Sequence, residues 1–137
     1  GNVLKVDTDN ECVYIENPTN GGRTKEFTLH SISNDTDFLL ASINNNGYCV
    51  TVEVTLTDRS NPAYFLKASI RGRNSGGNIL TPIITTISTG AGSTTLTYTI
   101  DAGVGYKLKV TGFPSSTLDG YAKVSGYTTA VYYTVLL

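Results

Sequence analysis

Along most of this chain, apolar and polar residues alternate with a period of two, in short runs broken by Gly, Asn, Ser, Asp and Pro. Alternation of this kind sends successive side chains to opposite faces of an extended strand. The clearest run spans residues 48–57, with Val50, Val52, Val54 and Leu56 on one face and Thr51, Glu53, Thr55 and Thr57 on the other. In residues 63–71, Tyr64, Leu66, Ala68 and Ile70 alternate with Phe65, Lys67, Ser69 and Arg71. Leu96, Tyr98 and Ile100 alternate with Thr95, Thr97 and Thr99. Val104, Tyr106, Leu108 and Val110 share a face, leaving Lys107 and Lys109 outward.

Further strands are predicted at residues 3–6, 12–16, 25–32, 36–43, 79–88, 118–124 and 130–137, with Pro82 marking an edge or bulge. The intervening clusters carry turn chemistry. Asn17-Pro18-Thr19-Asn20-Gly21-Gly22 is the strongest, because Pro presets φ and Asn and Gly accept positive values. Residues 44–47, 58–62, 72–78 and 90–92 read as turns or loops as well. No helical period survives more than a turn. The pattern therefore predicts an all-β chain, an antiparallel β-sandwich of jelly-roll or immunoglobulin-like type, with about eight to ten strands and no substantial helix. Residues 1–137 are expected to form a single domain, in which residues 1–11 are a candidate extended N-terminal arm.

The last predicted strand departs from half-buried alternation. Val131, Tyr133, Val135 and Leu137 fall on one face, and Tyr132 and Leu136 on the other. A strand apolar on both faces calls for burial on both. One sandwich covers one face, so Val131, Tyr132, Tyr133, Val135, Leu136 and Leu137 form a candidate subunit interface.

Composition narrows the function classes. The 137 residues carry a net charge of −1, and only 15% are charged, so no basic field is available for nucleic acid or an anionic membrane. No apolar run approaches the roughly 20 residues that span a bilayer, which argues against membrane insertion. There is one His, which excludes His-rich metal sites, and nothing in the sequence calls for a cofactor. The chain begins at Gly1 and contains no Met, so it reads as a processed form, a cropped chain or part of a longer product. Thr fills many outward positions where Lys and Glu stand on a typical solvated sheet. A face so weakly charged suits contact with other protein copies.

Candidate chemistry is sparse. Asp7-x-Asp9-x-Glu11 resembles the start of a calcium loop, but Cys12 and Pro18 occupy the positions where an EF-hand needs Gly and Glu. No metal site is assigned. His30 lies on the strand face opposite Phe27 and Leu29, and no nucleophile or carboxylate is placed beside it by the sequence. It is expected to be a structural or surface histidine, and no catalytic residue is assigned. Cys12 and Cys49 either form a disulfide, closing a loop of about 37 residues, or remain separate thiols. Asn34-Asp35-Thr36 fits a glycosylation sequon. Arg71-Gly72-Arg73 is the local basic cluster, read as a solvated face beside a turn. Tyr is the more informative residue. Tyr121 and Tyr127 are candidate glycan contacts, since an exposed ring can stack on a sugar.

Residues 50–131 carry a series of short motifs. They run Val50-Thr51-Val52-Glu53-Val54, Tyr64-Phe65-Leu66-Lys67-Ala68 with Arg71 and Arg73, and the Thr-rich stretch 81–89. They continue through Asp101, Leu108-Lys109-Val110-Thr111-Gly112, Thr117 and Tyr121-Ala122-Lys123-Val124. This succession resembles the small C-terminal β-domains of tailed-bacteriophage virion structural proteins, of the head-fibre, tail-fibre or decoration type. Tyr121 stands where those domains usually carry Trp, and residues 1–45 have no counterpart. The resemblance implies a non-enzymatic virion component, a fibre, decoration or attachment domain that is homo-oligomeric, and it transfers no catalytic residues. Its expected partners are copies of itself and other virion or filament proteins, together with surface glycans. Two other readings stand beside it. One is a secreted filament or pilus subunit, extracellular or at the cell surface, whose residues 1–9 complete a neighbour's sheet. The other is a carbohydrate-binding module that uses its tyrosines as a platform.

Overall fold

A computed structural model describes residues 2–8, 12–16, 23–43, 49–115, 117–126 and 131–135. Its strands are β1 (Val3–Asp7), β2 (Cys12–Glu16), β3 (Arg23–Ile32), β4 (Asp37–Ile43), β5 (Cys49–Asp58) and β6 (Phe65–Ser75). They continue with β7 (Asn78–Ile79), β8 (Ile83–Thr89), β9 (Thr95–Asp101), β10 (Gly105–Thr111), β11 (Leu118–Gly126) and β12 (Val131–Val135). No helix occurs among the described residues, and every strand pairing is antiparallel. The all-β sandwich read from the alternation is the fold observed.

The strands form two sheets. The larger has the order β1-β2-β3-β11-β5-β6, with β7 and β8 both lying along the far side of β6. The smaller has the order β12-β4-β10-β9. Their inner faces meet in one core. Leu29, Val52, Val54, Leu56, Leu66 and Leu118 come from the larger sheet, and Leu39, Leu96, Tyr106, Leu108 and Val110 from the smaller. Each such side chain contributes about 1.5–3 kcal/mol by leaving water, and the alternation read in the sequence is the imprint of that burial.

Insertion of β11 between β3 and β5 is a long-range event that local pattern does not announce. It places Lys123 between Glu26 and Glu53, and Tyr121 between Thr28 and Thr55. Opposite charges facing one another across strands favour this register, since a slip of one residue would also turn Ala122 and Val124 to solvent.

The structure corrects two stretches. Residues 72–78, expected to be a loop, begin with the continuation of β6 as far as Ser75. The inward positions there are Gly72 and Asn74, two turn-forming residue types, and both are buried. Tyr106 fills the space above Gly72, and Asn74 donates from Nδ2 to the Ile43 carbonyl at 3.1 Å while its Oδ1 accepts from Gly77 N. Residues that locally signal a turn here make room for, and hydrogen-bond to, the opposite layer. The run predicted at 79–88 is divided as well, into the two-residue β7 and β8, with Pro82 between them. The segment considered as an N-terminal arm contains β1, paired with β2 at the edge of the larger sheet.

Candidate functional site

A dense polar grouping on the outer face of the larger sheet is built at a β-bulge. Ile32 pairs with Leu118 and Leu29 with Gly120, so His30 and Ser31 together stand opposite Asp119. Two residues against one bend the strand and re-aim its side chains. Ser31 completes the bulge with a positive φ of 57°, a conformation that costs a non-glycine residue free energy and needs support from its surroundings. Asp119 supplies that support by accepting from Ser31 N at 3.0 Å, and Arg59 Nη2 donates to Ser31 Oγ at 3.0 Å. Gly120 permits the close approach, because a Cβ there would lie 1.8 Å from the Thr55 carbonyl oxygen.

Arg59 arrives from the turn after β5. Asp58, fully buried, holds that turn by accepting from Ser60 N, Asn61 N, Ser115 N and Ser115 Oγ. Burial pushes its carboxyl up, but these four donors outweigh that effect and leave its pKa below the ordinary value. Arg59 N donates to the Thr117 carbonyl at 3.0 Å. The guanidinium then meets Asp119 with two bonds, Nε to Oδ2 at 2.7 Å and Nη2 to Oδ1 at 2.8 Å. That fork, followed by the Ser31 N–H, holds the Asp119 carboxyl well below the usual carboxylate range and raises the Arg59 pKa in return.

His30 completes the group, its Nδ1 lying 3.0 Å from Asp119 Oδ1 with the side chain 79% exposed. Arg59 Nη2 lies 3.4 and 3.3 Å from His30 Nδ1 and Nε2. An atom nearly equidistant from both ring nitrogens cannot lie along either lone pair, so this is a contact with the ring rather than a directed bond. A serine, a histidine and an aspartate thus converge, but Ser31 Oγ is engaged by Arg59, and no hydrogen bond joins it to the imidazole. Nucleophilic acyl transfer depends on that hydrogen bond. With Asp119 held by Arg59 and Ser31, the open part of the group is the exposed imidazole. Two residues further along the same face of β11, Tyr121 presents its ring to solvent, 53% exposed and flanked in register by Thr28 and Thr55. An aromatic face beside fixed polar groups is an arrangement able to stack on and hydrogen-bond a sugar.

The other sequence candidates are dispersed. Cys49 is a free, exposed thiol in this fold, and the Cys12 side chain lies outside the described residues. Asn34 of the sequon is engaged, with Nδ2 donating to Asp35 and Oδ1 accepting from Phe113 N at 3.2 Å. Tyr98 and Tyr106 meet edge to face, 6.3 Å between ring centres and 81° between planes. Arg71 and Arg73 project from the outer face of β6. Val131, Tyr132, Tyr133 and Val135 belong to β12, at the edge of the smaller sheet beside β4. Asp9, Glu11, Tyr127, Leu136 and Leu137 lie outside the described residues. Among the described residues no group of three His, Cys, Asp or Glu is placed to hold a metal ion. Asp119 and Arg59 were not singled out by sequence. Asp119 is 89 positions from His30 in the chain, and no local signal connects them.

No family model matches the chain, and no curated protein matches it. Among solved structures it is similar to the tailspike protein gp49 from Acinetobacter baumannii bacteriophage Fri1, a capsular polysaccharide depolymerase, with a TM-score of 0.55 and 10% identity. The likeness covers 98% of this chain and 21% of the tailspike chain, so the chain spans about a fifth of the length of the protein it matches. At that identity the two share a fold: nearly all of this β-sandwich has a counterpart in one part of a phage tailspike.

Proposed function

We propose that this chain is a non-enzymatic structural domain of a bacteriophage virion, of the fibre or tailspike kind. The observation that carries the reading is the fold likeness to a phage tailspike across 98% of the chain. It agrees with the resemblance of residues 50–131 to virion β-domains. The polar group at Asp119 adds support, because its arginine and carboxylate satisfy each other instead of standing ready for proton transfer.

In this reading the domain assembles with copies of itself. The smaller sheet ends at β12, whose sequence carries Val131, Tyr133 and Val135 on one face and Tyr132 on the other. The larger ends at β1, where Leu4 and Val6 are 71% and 70% exposed. Both edges are surfaces that isolated sandwiches tend to protect, and that assemblies use. Immunogold labelling of intact phage particles with antibodies to the chain tests the virion assignment. Gold on the tail or fibres is the expected result, and particles without label overturn it. Light scattering across a concentration series is expected to return a fixed small oligomer. Incubation with capsular polysaccharide is expected to release no new reducing ends, and release would remove the non-enzymatic part of the proposal.

A second reading, a carbohydrate-binding surface, is favoured by the exposure of Tyr121 beside His30, Arg59 and Asp119. Glycan-array binding by the chain that is lost in Tyr121→Ala, with the thermal midpoint unchanged, is its expected signature. No loss of binding in that variant removes Tyr121 from the reading.

A further inference from the structure

The arginines of β6 border a different kind of surface. A cavity of about 210 Å³ opens between the end of β6, the start of β5 and the connection from β7 to β8, lined by Cys49, Arg71, Gly72, Arg73, Leu80, Thr81 and Ile83. Arg71 and Arg73 are two apart on one strand and so project from the same face, roughly 7 Å between their Cα atoms. Their cross-strand neighbours are neutral: Thr51 and Ile83 beside Arg71, and Cys49 beside Arg73. Among the described residues no carboxylate lines the cavity, and neither guanidinium takes part in an ion pair.

The walls are fixed from beneath. Gly72 lacks the Cβ that would lie 2.3 Å from the Tyr106 ring, so Tyr106 of the opposite sheet packs beneath Gly72, on the inner side of the strand whose outer side carries the two arginines. Its hydroxyl accepts from Arg73 N at 3.1 Å and donates to the Leu80 carbonyl at 2.5 Å. Burial raises the pKa of this phenol, which keeps it protonated and able to donate. Leu80 N donates in turn to the Arg73 carbonyl at 3.0 Å, closing a ring of bonds across the cavity floor. A buried tyrosine therefore ties the arginine strand to the Leu80–Thr81 segment. The site is held open, with Arg71, Arg73 and Thr81 in its lining beside the apolar Leu80 and Ile83.

We infer that this cavity is a binding site for a small organic anion, whose carboxylate or phosphate is gripped by Arg71 and Arg73 while its body rests on Leu80 and Ile83. Guanidinium forks match both oxyanions geometrically, and the fixed floor means that little order is lost on binding. This site is separate from the Asp119 group, and the inference does not depend on the virion reading.

The test is an amide NMR titration of the full chain with four probes: glucuronate, glucose 6-phosphate, inorganic phosphate and glucose. At least one of the two organic anions is expected to give saturable shifts at Gly72, Arg73, Leu80 and Thr81 that glucose does not give. Glucuronate alone identifies a carboxylate ligand, and glucose 6-phosphate alone a phosphate ester. In the Arg71→Gln, Arg73→Gln double variant the affinity is expected to fall about tenfold or more. Cys49 gives an independent reading in the unaltered protein, where the binding anion is expected to slow its alkylation by iodoacetamide. An equal response to glucose, an organic-anion response matched by inorganic phosphate, or no saturable response to either organic anion overturns the inference. So does full affinity in the double variant.

Discussion

Two arginine-bearing regions lie on the outer face of the same sheet and have opposite fates. Arg59 is committed: both arms of its fork are taken up by Asp119, its backbone is fixed by Thr117, and its turn is held by Asp58. Arg71 and Arg73 have no acidic partner among the described residues, and they stand over a cavity whose floor is braced by Tyr106. In the first region the polar groups satisfy one another and support a strained bulge. In the second the polar groups are left outward while rigidity is supplied from below. A cluster of charged residues is therefore informative only once its partners are known. The more crowded constellation is the more inert one.

The largest effects expected from testing this contrast lie beneath each region. Gly120→Ala drives a methyl against the Thr55 backbone, and Gly72→Ala drives one against the Tyr106 ring, which is almost wholly buried. Each is expected to lower the free energy of unfolding by about 1–3 kcal/mol in urea denaturation, with Gly120→Ala the worse because a backbone carbonyl cannot swing aside. Tyr106→Phe comes next. It leaves the Leu80 carbonyl and Arg73 N–H without their phenolic partner, for a loss of about 1–2 kcal/mol and faster amide exchange at Arg73. Unchanged exchange would show that the cavity floor is held by something other than this hydroxyl.

Acid titration separates the regions more gently. The folded-state pKa of Asp119 is depressed, chiefly by the Arg59 hydrogen bonds and then by Ser31 N–H. A depressed carboxyl contributes stability that is present in full above its unfolded value of about 3.9, and is lost as pH falls from there through the folded pKa. Asp58 has the same sign, its four donors prevailing over burial. Thermal midpoints measured from pH 6 downward are expected to fall below about pH 4, with a shallower fall in Asp119→Asn. An acid limb identical to that of the unaltered protein would show that the Arg59–Asp119 pair adds nothing in solution. The smallest effects belong to Arg71→Gln and Arg73→Gln, expected to stay within about 0.5 kcal/mol of the parent because these side chains support nothing in the fold. A larger loss would make them structural and would remove the contrast.

The alternation at Val50-Val52-Val54-Leu56 and at Leu108-Val110 was legible because a two-residue period has one physical source, a sheet with one wet face and one dry face. The end of β6 was not legible, since Gly72 and Asn74 carry the local signature of a turn. Only Tyr106 pressing on Gly72, and the Ile43 carbonyl accepting from Asn74, explain why the strand continues. His30 was placed correctly on an outward face. Its carboxylate neighbour carries no local signal: Asp119 reaches it from β11, a strand joined to β3 by no local connection. Arg71-Gly72-Arg73 was visible as a basic cluster beside a turn, but its spacing could not reveal the cavity or the tyrosine beneath it.

What the sequence determined by itself was the class of fold, the strands that carry the core and the near-neutral net charge. Each of these follows from residue order and composition alone. What only the tertiary structure decided was which charges meet. Arg59 is neutralised and Arg71 and Arg73 are not because β11 passes between β3 and β5, bringing an aspartate to one end of the sheet and none to the other. Strand order in a sheet is set by the packing of two whole layers, and no stretch of neighbouring residues contains that information.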